Sequence, residues 1–210
     1  WSVSAFTEKS LSLSGYTADK NYDIWIYDNS GTLTLSATAW TDSTTRATAL
    51  TTQDGIYDKT GATNYRYLGT IRTTATTGQC EDSVTKRFVW NLYNCEPRRL
   101  VKSEATAHTY GTASLRNWND AVNGVFFVSG LARDIDCSLM GALKNYALIY
   151  LRINGADYKM AGSEATAYGV GGSSVNFTAF AGYNTMYIME LGNSESAFFA
   201  DCRLNSIIKM

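Results

Sequence analysis

Apolar positions along this chain recur mostly at every second residue and almost never at helical spacing. Residues 22–27, Tyr-Asp-Ile-Trp-Ile-Tyr, alternate polar and apolar side chains at their start. Asp28-Asn29-Ser30-Gly31 then breaks the run, and residues 32–40 resume it. Alternation interrupted by a short Asp/Asn/Gly cluster predicts a β-hairpin. Asp54-Gly55, between residues 47–52 and 56–58, predicts a second, and Asn154-Gly155, between 145–153 and 158–160, a third. Further strands are predicted over 64–73, 86–94, 98–110, 124–133, 176–180, 185–191, 197–200 and 204–210. Residues 74–85 and 162–174 read as loops, residues 139–145 as the one place where a short helix competes, and the stretch around Pro97 as a corner between sheets.

Many short strands at this spacing predict an all-β, jelly-roll-like two-sheet sandwich. A sandwich of 210 residues is an ordinary single domain, and no shift in composition demands a boundary, so 1–210 is read as one head domain. The pentapeptide Ser-Glu-Ala-Thr-Ala occurs at 103–107 and again at 163–167. It would suit a duplicated hairpin, but the flanks match poorly, which favours coincidence.

Composition narrows the function. Eighteen basic residues face nineteen acidic ones with no basic block, which removes the electrostatic footprint of a nucleic-acid binder. The longest apolar run, 146–151, is far short of the ~20 residues that span a bilayer, so no membrane insertion is expected. The chain begins at Trp1 rather than Met, so an upstream segment is expected. Aromatic residues make up 13% of the chain, more than an ordinary core needs, which points to a subunit interface or a ligand surface.

Candidate chemistry is sparse. Cys80, Cys95, Cys137 and Cys202 form no Cys-x-x-Cys pair, and the single His108 completes no zinc set, so neither metal nor cofactor is implied. Cys80 and Cys95 bracket a loop and strand. A disulfide there would contribute about 3 kcal/mol in the loop-entropy model, and free thiols are the equal alternative. A lone His108 without a Gly-x-Ser-x-Gly elbow gives no nucleophilic triad and reads as a surface or interface residue. Asp134 with Asp136, or Glu81 with Asp82, are the pairs a glycosidase would need, but each reads equally as a loop charge or turn cap. Arg46, Arg66, Arg72 and Arg87 suit acidic-sugar recognition less well than cross-strand ion pairing. For sugar binding, the best aromatic-plus-amide cluster is Asn117-Trp118-Asn119, followed by Tyr168 in a glycine-rich stretch. Against that stands Trp118 as a plain loop anchor.

A specific resemblance covers residues 22–94. It is carried by Tyr27-Asp28-Asn29-Ser30-Gly31, Ala39-Trp40-Thr41, Thr45-Arg46-Ala47-Thr48-Ala49-Leu50 and Gln53-Asp54-Gly55. It continues through Arg66-Tyr67-Leu68-Gly69-Thr70, Arg72-Thr73-Thr74, Glu81-Asp82-Ser83 and Lys86-Arg87-Phe88-Val89-Trp90-Asn91. This block resembles the C-terminal module of tail-fibre and head-fibre proteins of tailed phages and prophages. Residues 95–210 match more weakly, through Gly182-Tyr183 and an apolar close similar to trimeric jelly-roll heads. The resemblance implies a non-enzymatic structural protein of the virion: a fibre or spike head that assembles as a homotrimer with other virion proteins and attaches to a host-surface glycan. A decoration module without host binding and a glycan-degrading spike enzyme are the alternatives. The family supplies no catalytic residues to carry over.

Overall fold

The computed structural model describes residues 7–163, 168–193 and 197–210. Residues 164–167, most of the second pentapeptide copy, lie outside them. The described chain is all-β, built from three sheets. β1 (Asn21–Asn29), β2 (Thr32–Ala39), β3 (Leu50–Gln53), β4 (Ile56–Lys59) and β5 (Ala62–Arg72) form the first, in the order β2-β1-β5-β4-β3. The strand predicted over 86–94 divides in two. β6 (Lys86–Arg87) joins the second sheet, parallel to a later strand, while β7 (Val89–Asn91) pairs with β5 in the first. Phe88 stands between them and ties to the preceding loop by donating its N–H to Glu81 O.

The remaining strands are β8 (Pro97–Glu104), β9 (His108–Thr109), β10 (Arg116–Asn117), β11 (Gly124–Ser129), β12 (Arg133–Lys144), β13 (Ala147–Ile153), β14 (Ala156–Gly162), β15 (Gly169–Ala179), β16 (Gly182–Gly192) and β17 (Phe198–Lys209). The second sheet runs β14-β13-β16-β11-β6 with β10 on β16, and the third runs β15-β12-β17-β8 with β9 on β17. These two sheets face each other as a jelly-roll-like sandwich. Alternation aims Ile135, Leu139 and Leu143 of β12 and Phe199, Leu204 and Ile208 of β17 inward, against Ile149 and Leu151 of β13 and Met186 and Ile188 of β16.

The three predicted hairpin turns are present. Asp54-Gly55 and Asn154-Gly155 each place both residues at positive φ (52° and 79°; 49° and 91°), the geometry that a two-residue hairpin loop demands. Other expectations are corrected. Residues 139–145 continue β12 as a strand, because Leu139 and Leu143 are needed on its inner face, and Asn145 and Tyr146 then turn the chain at positive φ. Residues 169–174 are not loop: their small side chains form half of β15, an edge strand paired with β12. Asp134 and Asp136 are strand residues, not loop charges. Cys80 and Cys95 are free thiols, each donating to nearby backbone carbonyls, Cys80 to Phe88 O and Cys95 to Asn91 O. The apolar strand at 204–210 finds its partners within the chain, because β17 lies between β12 and β8. The aromatic and Met residues of 177–199 largely fill the chain's own core.

The first sheet is locked to the sandwich by a buried polar network. The Arg46 Nε donates to Asp23 Oδ2 at 2.9 Å, and its Nη2 reaches both Tyr67 OH and the Gly130 carbonyl. Thr70 Oγ1 donates to Asp23 Oδ1 at 2.7 Å. Trp25, Tyr67 and Trp90 continue the sandwich core into this junction. A side chain at Gly130 would run into it, since a Cβ there would lie 2.1 Å from Tyr67 OH. Arg46, Arg72 and Arg87 thus serve structure: Arg72 bonds Asn21 and lies over the Tyr183 ring, and Arg87 pairs with Asp82.

Two predictions follow from this packing. Arg46→Ala leaves Asp23 as an uncompensated buried carboxylate, so the urea midpoint should fall by the equivalent of ~3–5 kcal/mol. The second concerns alkaline pH. Burial pushes the Cys137 thiol and the Tyr183 phenol both up to about 12. In the unfolded chain these groups ionise from lower pH, so between about pH 9 and 12 the unfolded chain binds fewer protons than the fold. Stability should be complete below pH 9 and decline toward pH 12, and Cys137→Ala should flatten that decline in a urea-midpoint-against-pH series.

Candidate functional site

The site arises where two strands part. β12 and β17 pair from Lys144↔Phe198 down to Asp136↔Ile207. Beyond that point β12 keeps β15 as its partner, through Ile135↔Phe177 and Arg133↔Ala179. β17 instead keeps β8, through Ile208↔Arg98 and Lys209↔Pro97, and Met210 exchanges two backbone hydrogen bonds with Glu96. A cleft of about 670 Å³ opens in the fork, in the size range of small-molecule sites. Its floor is apolar and aromatic: Trp90, Phe127, Val128 and Met210. Its rim is polar: Asp134, Asp136, Ser138, Ser174, Asn205 and Lys209, with Ile207 as an exposed apolar contact.

Period-two alternation puts the rim residues on the outer face of the sheet while their neighbours fill the core. Cross-strand pairs order them. Asp134 accepts from Thr178 Oγ1 at 2.6 Å and Asp136 from Asn176 Nδ2 at 2.9 Å. Each carboxylate keeps acceptor capacity beyond that one bond. A shallower groove of about 240 Å³ continues along the same face, sharing Ser138 and Asn205 with the cleft and adding Met140, Arg99 and Arg203. Arg99 Nε donates to Asn205 Oδ1 at 2.8 Å, while the Arg203 guanidinium makes no hydrogen bond or ion pair among the described residues. On the inner wall Cys137 is held protonated by burial. One continuous surface therefore offers carboxylate acceptors, amides and hydroxyls that do both, and guanidinium and ammonium donors, beside apolar patches.

The residues that sequence singled out for sugar binding lie elsewhere. Trp118 is fully buried in a 3-10 turn, Trp118–Asp120, edge-on to Phe199, and so is the loop anchor rather than a stacking platform. Asn117 pairs with Met189 in β10, and Asn119 uses its N–H on Glu190. Tyr168 is exposed, packs edge-on to Phe198 and lies under Lys144. Lys144 is eight residues along β12 from Asp136, about 26 Å at ~3.3 Å per residue. Trp118 and Tyr168 are also on opposite faces of β17, so no joint site forms.

His108 is not a surface residue. Its ring stacks on Phe199, and its Nε2 bonds Glu190 Oε2 at 2.5 Å. Glu190 is fully buried and also accepts from Arg116 Nε at 2.7 Å and the Asn119 N–H at 3.2 Å. The imidazole's partners are a carboxylate and the Thr106 carbonyl rather than a nucleophile. The cluster fastens the β9–β10 segment to β16.

Sequence reasoning weighed Asp134 and Asp136 but missed Trp90, Phe127, Arg133, Asn205 and Ile207 as their companions. The alternation Asp134-Ile135-Asp136-Cys137-Ser138-Leu139 was the available signal that the polar three share a face.

No protein-family model matches the chain, and no curated protein matches it. Among solved structures it is similar to BuGH86 in complex with neoagarooctaose, at 10% identity over 92% of this chain and 28% of that one, with a TM-score of 0.36. It is also similar to the CBM35 from Cellvibrio japonicus Abf62 (16% identity, 50% and 91% covered, TM-score 0.29). A third is an exo-β-1,3-galactanase from Phanerochaete chrysosporium (12% identity, 90% and 55% covered, TM-score 0.25). The chain spans about 28% of the length of BuGH86. Likenesses this distant carry no argument about function, so the site stands on its own geometry.

Trp118 as anchor makes a checkable claim. Trp118→Ala should cost stability, ~3–5 kcal/mol by urea unfolding.

Proposed function

We propose that this chain is a non-catalytic, glycan-binding head module of a phage fibre or spike, and that the fork between β12 and β17 holds the glycan. The observation that carries the reading is the match between the cleft and a hydroxyl-rich ligand. Each sugar hydroxyl both donates and accepts, so it can be satisfied by the carboxylates, amides, hydroxyls and cations that this rim sets side by side. The ring's C–H faces suit Ile207, which stands exposed on the rim. The virion assignment rests on the resemblance of residues 22–94, a block that takes in the strands of the first sheet and β6 of the second.

The non-catalytic reading has its own support. Asp134 and Asp136 lie on one face of one strand, each already bonded to a β15 side chain. A glycosidase sets its carboxyls on either side of the scissile bond. The assembly we propose is a trimer, which compensates for weak single sites by avidity of roughly 10²–10⁴. Ile24, Ile26, Leu33 and Leu35, on the face of β1 and β2 away from Trp25, are only half-buried and supply apolar surface for subunit contact.

The test is a glycan array probed with the labelled protein. Binding is expected, and Asp136→Ala should weaken it about 10- to 100-fold, the worth of a hydrogen bond to a charged group. Loss of binding with Trp118 or Tyr168 variants but not with Asp136→Ala would move the site away from the cleft. Release of reducing sugar from a bound glycan would overturn the non-catalytic reading. For the assembly, sedimentation should show a trimer at micromolar concentration, and a stable monomer there would refute it.

A further inference from the structure

Two donors at the inner end of the cleft have no acceptor. Trp90 is 2% exposed and its Nε1 bonds nothing, and the Nε of Arg133 is buried in the same condition. They form one group, with the Arg133 guanidinium carbon 5.2 Å from the Trp90 ring centroid. The far edge of the indole is already packed, because Cε3 and Cζ3 lie against Gly130, where a Cβ would come within 2.4 Å. Nε1 sits on the opposite edge of the ring from Cε3, and both Trp90 and Arg133 line the cleft.

Arg133 is also a cation without an anion. Its contacts are the Trp90 ring and a hydrogen bond from Nη2 to Cys95 Sγ at 3.4 Å, and it makes no ion pair among the described residues. Its neighbours Asp134 and Asp136 project from the outer face instead, toward Thr178 and Asn176. Native proteins seldom leave buried donors unmet, and a half-buried charge in an apolar wall calls for a counter-charge.

We propose that the inner end of the cleft is a subsite for a carboxylate carried by the glycan, as in an acidic sugar. Arg133 Nε and Trp90 Nε1 each donate one hydrogen bond to it, and the guanidinium supplies its counter-charge. An acetamido carbonyl would also accept from both donors but would leave the Arg133 charge uncompensated, which is why the carboxylate is the better fit. The rim then divides the labour: the inner end selects the acid, while Asp134 and Asp136 on the outer face take hydroxyls. This inference rests on the glycan reading and deepens it.

The test is an array on which uronic-acid and other carboxylated oligosaccharides are printed beside their carboxyl-reduced counterparts and beside neutral N-acetylated ones. The wild-type chain should bind the carboxylated member of a pair at least 10-fold more tightly. Arg133→Gln should erase that difference while leaving residual binding to the reduced member. Trp90→Phe, which keeps a ring and removes the donor, should narrow the difference. Folding of each variant is checked by circular dichroism. Should Arg133→Gln not fold, Arg133→Lys carries the test, since it retains the charge and loses Nε. Equal binding within pairs, a preference for N-acetylated neutral members, or a carboxylate preference indifferent to Arg133 would overturn the inference and leave the glycan reading standing. Binding to no glycan at all would remove both.

Discussion

A strand inside a sheet has two edges of backbone donors and acceptors to satisfy, and β17 cannot satisfy both along its whole length. Its early residues serve β12 on one side and β8 and β9 on the other. Near its end the partners diverge. β12 follows β15, whose pairing runs through to Arg133↔Ala179, and β17 stays with β8 until Met210 closes on Glu96. Backbone groups left unpaired in an interior are expensive, so each strand keeps the neighbour it can bond and the sheet splits between them. The cleft, its aromatic floor and its polar rim are consequences of that split.

The same logic explains where the chain tolerates buried charge. Glu190 is fully buried and accepts from His108, Arg116 and a backbone N–H. Asp23 is nearly so and is bonded by Arg46 and Thr70. One cluster fastens the β9–β10 stretch to β16, and the other holds the first sheet to the sandwich. Removing one partner from such a set costs far more than the pair is worth, which makes them fasteners rather than reaction centres. Arg133 differs from Arg46 and Arg116 in having no carboxylate partner among the described residues, and it is the one that lines the cleft.

Much of the architecture was legible in the sequence, because period-two alternation and Asp-Gly or Asn-Gly turns are local signals. Strands β1, β2, β4, β13 and the three hairpin turns needed nothing beyond neighbouring residues. The failures share a cause. Residues 169–174 carry mostly Gly and Ser, which lack β-propensity, yet form a strand because β12 offers an edge from Leu143 through Ser138. Residues 86–94 look like one strand because nothing local says that its two halves belong to different sheets. The site was hidden for the same reason. Trp90, Phe127, Asp136 and Ile207 are far apart in the chain and meet only through non-local pairing. Trp118 next to two amides imitates a sugar platform in sequence, and only packing reveals that the ring points inward.

The placement of β17 also sets a timetable. β8 ends at Glu104 and β12 at Lys144, well before β17 begins at Phe198, and both present unpaired edges until it arrives. Folds dominated by such distant pairings assemble slowly, and open strand edges are where partly folded chains stick to one another. On a ribosome the first sheet can close early from local hairpins, but the third sheet must wait for the last strand in the order. Yield of soluble protein should therefore depend on how well β8 and β12 are shielded during synthesis, and the cleft is the last part of the molecule to come into existence.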